Sequence, residues 1–217
     1  MNRGEIRDLA SVWLDDTSNG YFTVPQLDVF INQAQRECQK LLINAGEDYY
    51  TKCATTTTVS GQRDYLLPSD FVKILRIEYV TQGSGDTASV QRLHQITRQE
   101  QDVARGSVSG DPTNYFFNKT TFSLVPVPNR VLTMHLYYAD RVTDMSNDSD
   151  IPDVPEDYHE YLAILAARDG FLKDGRGLGP IESKLAYYEK MMKAFSDQRN
   201  RGAARMIVAT GAGFGEY

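Results

Sequence analysis

At 217 residues, 41% of them hydrophobic and 24% charged, the chain is long enough for one domain or two small ones with a true core. That composition excludes an intrinsically disordered tail protein. The balance of 23 Lys and Arg against 29 Asp and Glu, a formal net charge of -6, argues against a protein that coats nucleic acid, because such binding needs clustered cations to displace counterions from phosphates.

The first sixteen residues carry charges where a secretory leader needs an apolar stretch, and no run approaches the ~20 apolar residues of a membrane helix. The protein is therefore expected to be used without crossing a membrane on its own signal. Ile6, Leu9, Trp13 and Leu14 recur at helical spacing over residues 3–15, ending at Thr17-Ser18-Asn19-Gly20. A second helix is signalled by Thr23 as a cap, Pro25 in the first turn and the stripe Leu27, Phe30, Ile31, Ala34, Cys38, Leu41, Leu42 and Ala45, with Gly46 as a stop.

From Tyr49 the pattern turns to strands. Thr55 to Val59 is a β-branched run, Gly61-Gln62 reads as a turn, and Asp64 to Pro68 and Val72 to Val80 are further strand-like stretches before a loop at Gly83 to Asp86. Thr97 and Glu100 have the spacing of a capping box opening a short helix, followed by a loop-rich stretch from Gly106 to Asn114. Tyr115 to Phe117 and Thr121 to Val125 resemble a hairpin turning at Asn118-Lys119. Val131 to Ala139 then alternates, with Leu132, Met134, Leu136 and Tyr138 on one face. These strands predict a small antiparallel sheet or sandwich.

Helical periodicity returns after Pro155, with Tyr158, Tyr161, Leu162, Leu165, Ala166, Phe171 and Leu172, and stops at the glycines 175, 177 and 179. Pro180 opens a last helix whose stripe is Ile181, Leu185, Tyr188, Met191, Met192 and Phe195, suited to antiparallel packing on its predecessor. The expected class is α+β. N- and C-terminal helix pairs (residues 1–50 and 151–198) form a helical bundle, a β-rich lobe (51–150) is inserted, and residues 199–217 extend as a C-terminal arm. In that arm Arg199, Arg201, Arg205, Met206, Ile207, Val208, Phe214 and Tyr217 are the candidate partner-binding residues. A frayed terminus is the plainer reading, against which the apolar Met206 to Val208 stands.

Chemical motifs are scarce. Cys38 and Cys53 are too few for a disulfide framework and read as buried thiols. His94, His135 and His159 lack a second ligand at metal-binding spacing, and the Gly175-x-Gly177-x-Gly179 run lacks the strand and the Lys-Ser/Thr of a phosphate loop. The run Asp144 to Glu160 holds seven acids and no base, but a calcium loop fails: Ser149 stands where glycine is needed and Pro155 where the bidentate Glu is needed. A solvated loop whose carboxylates favour the following helix N-terminus is the simpler account. No catalytic, metal or cofactor-binding residue is expected. Tyrosines 49, 50, 137, 138, 158, 161, 187 and 188 are divided between core and subunit boundary.

Four landmarks in order carry a resemblance: Asp64-Tyr65-Leu66-Leu67-Pro68-Ser69-Asp70-Phe71, Gly110-Asp111-Pro112-Thr113-Asn114-Tyr115, Leu124-Val125-Pro126-Val127-Pro128 with a strand ending in Tyr137-Tyr138, and Ile151-Pro152 leading to Tyr158-His159. Over residues 20–200 the chain resembles the head-to-tail adaptor (connector) proteins of tailed bacteriophages, short-tailed type. The resemblance implies a non-enzymatic virion protein at the head-tail junction, made in the host cytoplasm. It implies a ring of about twelve copies below the portal protein, extending the DNA channel and docking tail or nozzle proteins. Genomic DNA passes without sequence-specific binding, no membrane is involved, and the arm reaches the portal. Two other classes remain open on the residues: an adaptor-borne peptidoglycan hydrolase, without an identifiable acid and nucleophile, and a soluble nucleic-acid-binding or regulatory module using the basic stretch Lys190 to Arg205.

Overall fold

The computed structural model of the chain describes residues 1–18, 20–45, 48–83, 88–100 and 109–200. The expected stop at Gly46, most of the Gly83 to Asp86 loop and the arm residues from Arg201 onward lie outside the described residues. The chain forms two compact units, residues 1–47 with 144–217, and residues 48–143.

The first unit is helical. Helix α1 (Arg3–Leu14) starts with a capping box between Asn2 and Glu5 and ends at Asp15, which takes the left-handed conformation at φ 57°. Helix α2 (Val24–Asn44) is capped by the Thr23 and Gln26 box with Pro25 in its first turn, as the sequence predicts. Its buried face is broader than the apolar stripe: Gln35, Gln39 and Ile43 are buried with Leu27, Ile31, Ala34, Cys38 and Leu42. Helix α3 (His159–Lys173) follows a 3-10 turn at Glu156–Tyr158, and α4 spans Gly179–Asn200.

Helix α3 packs against α1, α2 and α4. Residues 161–167 are buried without interruption, which suits an element covered on all sides better than an amphipathic one. Leu172, read as part of its apolar stripe, is instead 59% exposed, while Gly170 and Phe171 beside it are buried. Small residues permit the close approach. A Cβ built on Gly170 would lie 2.6 Å from Cδ2 of Leu14, itself 1% exposed.

The second unit holds two four-stranded sheets, in the orders β1-β8-β3-β4 and β2-β7-β6-β5. The strands are β1 (Thr51–Thr57), β2 (Asp64–Leu66), β3 (Phe71–Gln82), β4 (Ser89–Arg92), β5 (His94–Gln95), β6 (Asn114–Phe117), β7 (Thr121–Val125) and β8 (Thr133–Asp140). All described pairings are antiparallel except β5 with β6. Leu132, Met134, Leu136 and Tyr138, the face expected from alternation, meet Tyr65, Phe122 and Leu124 of the other sheet in one core. The β6–β7 hairpin and the Thr97 box are present, the latter with Thr97 N–H donating to Glu100 at 2.7 Å. Cys53 corrects the reading of both thiols as buried. It pairs with Tyr137 on β8, one residue out of step with the core-facing Leu136 and Tyr138, so the period of two turns it outward on edge strand β1 and leaves it exposed.

Replacing Gly170 with Ala tests the close helix crossing. In an exposed helix the change stabilises, but against a buried Leu14 it is expected to lower unfolding stability by about 1–3 kcal/mol, read as a fall in melting temperature with unchanged secondary structure.

Candidate assembly surface

The acidic segment is where the structure departs most from the sequence reading. Its carboxylates are held by arginines from α1 and α2 rather than by solvent alone. Arg3 Nη2 and Arg7 Nη2 reach the two oxygens of Asp148 at 2.9 and 2.8 Å, and Arg7 Nη1 also donates to Asp28 at 2.9 Å. Arg36 donates to Asp144 at 2.8 Å. Asp150 accepts the N–H groups of Ser146 and Asn147 at 2.7 and 2.8 Å.

Backbone bonds complete the junction. The first-turn N–H groups of Arg3 and Gly4, which a helix cannot satisfy internally, donate to the carbonyls of Asp150 and Asp148 at 2.8 and 3.0 Å. Asn32 exchanges two hydrogen bonds with the backbone of Met145, and Gln35 accepts the N–H of Asp153. Hydrogen bonds from Arg7 and then Arg3 hold Asp148 far below the usual carboxylate range, and the N–H groups of Asn147 and Ser146 lower Asp150. Arg7 is correspondingly raised.

The landmark carboxylates of the β unit are also structural. Asp70 accepts from Lys52 and from the Tyr138 hydroxyl, each at 2.9 Å, while Lys52 also donates to Asp140 at 3.1 Å. Asp111 is paired with Arg130, whose Nε lies 2.8 Å away. Asp64 accepts from Ser123, whose oxygen in turn accepts from Asn118. Lys52 lowers the pKa of Asp70 and Arg130 that of Asp111, so both acids are ionised partners of fixed cations.

Metal coordination finds no constellation among the described residues. No group of three or more His, Cys, Asp or Glu converges there in a way that could hold a metal ion. Burial pushes the Cys38 thiol up to about 12, far from a thiolate nucleophile at neutral pH. His159 is buried, its Nε2 is 3.0 Å from the Val154 carbonyl, and burial lowers its pKa. Among the described residues no helix is long and apolar enough to cross a membrane.

What the helical unit offers is apolar surface. There Tyr158, Tyr161 and Tyr188 are buried and Tyr187 is exposed, while in the β unit Tyr50 and Tyr138 are buried and Tyr49 is exposed. On α4 the exposed Tyr187 and Met191 border a depression with Tyr158, Tyr188 and Phe195. A second depression lies between Pro25, Val29 and Phe30 of α2 and Lys173 of α3. Of the candidate arm residues, Arg199 falls in the last turn of α4; Arg201, Arg205, Met206, Ile207, Val208, Phe214 and Tyr217 lie outside the described residues. The two depressions were not singled out by sequence reasoning. The tyrosine pair 187 and 188 was the available signal.

The lowered pKa of Asp148 fixes a sign. Its contribution to stability is present above the ordinary Asp value of about 4 and is lost as pH falls toward the folded value. Asp148→Asn is expected to lower the melting temperature at neutral pH. The gap from the parent protein should close as the pH is taken from about 7 to about 2, in parallel thermal melts.

A family model described as SU10 adaptor protein matches residues 1–211. No curated protein matches the chain. The matched span includes every described element, the acidic segment and its arginine partners, and all four landmark motifs, in which the structure finds fold-holding contacts. The chain belongs to the SU10 adaptor protein family, the head-to-tail adaptors of short-tailed bacteriophages.

Proposed function

We propose that the protein is a non-enzymatic virion component of the head-tail junction, assembling as a ring of about twelve copies beneath the portal. The ring extends the DNA channel and offers its far side to tail or nozzle proteins. In this reading the N- and C-terminal helices form the ring-building bundle, the β unit is an inserted lobe, and residues 199–217 reach the portal as an arm. The observation that carries the proposal is the family match over nearly the whole chain.

Charge and chemistry support it. Residues 1–47 and 144–217 hold 20 acids and 13 bases, against 9 and 10 in residues 48–143, so the acidity belongs to the helical unit. A ring of such units repels phosphates, which lets DNA slide rather than adhere. The described acids that define the landmark motifs are already bonded to cations or hydroxyls, which leaves them poorly suited to proton transfer.

Two experiments test the reading. Deleting residues 199–217 is expected to leave melting behaviour unchanged while weakening binding to portal rings by about ten-fold or more, measured by co-sedimentation; undiminished binding would remove the arm from the proposal. In a peptidoglycan zymogram the pure protein is expected to leave no clearing, and a clear band would establish the hydrolase instead.

A further inference from the structure

We propose that the two exposed apolar sites of the helical unit are the two halves of one subunit contact, with the exposed Tyr187 and Met191 beside the α4 depression of one copy packing into the α2 depression of the next. The inference rests on the ring reading and deepens it by assigning the surface that would build the ring.

Exposure and placement make the first part of the case. Tyr187 is 56% and Met191 45% exposed on one side, and Val29 is 52% exposed on the other. Large apolar side chains grouped around a depression mark association surfaces far better than the same residues scattered singly. The two depressions lie toward opposite ends of α3. Asp157 precedes its first turn and Lys173 closes its last, about 24 Å apart along the axis at 1.5 Å per residue. A molecule with two unlike patches on one rigid unit meets its neighbour head to tail, and such a contact closes into a ring when the rotation between copies is right.

Charge identifies the occupant as a second copy. Each depression has one charged residue in its lining, and the two are opposite in sign: Asp157 on the α4 side, Lys173 on the α2 side. Neither forms an ion pair among the described residues. Lys173 donates to Gln26 Oε1 at 3.0 Å and lies 5.5 Å from the Phe22 ring centre, which holds its ammonium beside Val29 and Phe30. An apolar surface carrying one unpaired charge selects a partner with the opposite charge in the same setting, and the chain itself supplies that partner.

The test is a charge exchange in the full chain, with assembly followed by native mass spectrometry and sedimentation, alone and with portal rings. Asp157→Lys and Lys173→Asp each set like charges face to face, and each is expected to weaken assembly by about ten-fold or more. The double exchange, and an equimolar mixture of the two single variants, are expected to restore it. Met191→Gln, at an exposed position, is expected to weaken assembly without changing the melting temperature.

Single variants that assemble like the parent, or losses that the double exchange fails to rescue, would overturn the pairing while leaving the ring intact. A parent protein that stays monomeric both alone and with the portal would overturn the ring and this contact together.

Discussion

The helical unit depends on how the chain closes on itself after a long excursion. Its first helices end by residue 45, and the chain rejoins them only at Asp144. Closing so long a loop has an entropic cost that grows slowly with length but is fixed at the junction. The junction is accordingly dense: Arg3, Arg7 and Arg36 hold Asp148 and Asp144, and the first N–H groups of α1 donate to the returning backbone. Arg36 meets Asp144 at the surface, whereas Arg3 and Arg7 are themselves mostly buried, with side-chain exposures of 10% and 12%. Their guanidinium groups therefore need carboxylates close by, and Asp28 supplies the second one.

Everything beyond the junction follows from that closure. Once residues 144–150 lie along α1 and α2, α3 is delivered into the space those helices border, where its uninterrupted apolar run can be covered. Gly170 against Leu14 shows how little room remains. Helix α4 packs on α3 and α2, and its outward face keeps apolar surface at Tyr187 and Met191.

In the β unit the conserving principle is different. Strand alternation decides which side chains meet in the core, and polar pairs at and near the surface join the turns and strand ends: Asp70 with Lys52 and Tyr138, Asp111 with Arg130, Asp64 with Ser123. The motifs through which the family is recognised are thus positions where a polar group anchors a turn or strand end. A protein whose task is to join other proteins needs its shape held and its outer faces free, and the described residues are divided in that way.

Local chemistry is legible in the order of the residues alone. The caps at Thr23 and Thr97, the helical stripes, the alternating β8 strand, the β6–β7 hairpin and the spaced motifs that point to adaptor proteins are all readable because each depends on residues a few positions apart. Only the tertiary structure decided the rest. It turned Cys53 outward, buried Gln35 and Gln39 on α2, exposed Leu172, and converted an acidic run with no nearby base into the counterpart of three arginines more than one hundred residues away. A carboxylate has no preference in sequence for a cation that distant. The pairing arises only when the fold brings residues 144–148 against α1 and α2, and there a mostly buried Arg3 or Arg7 guanidinium left without its carboxylate would be costly.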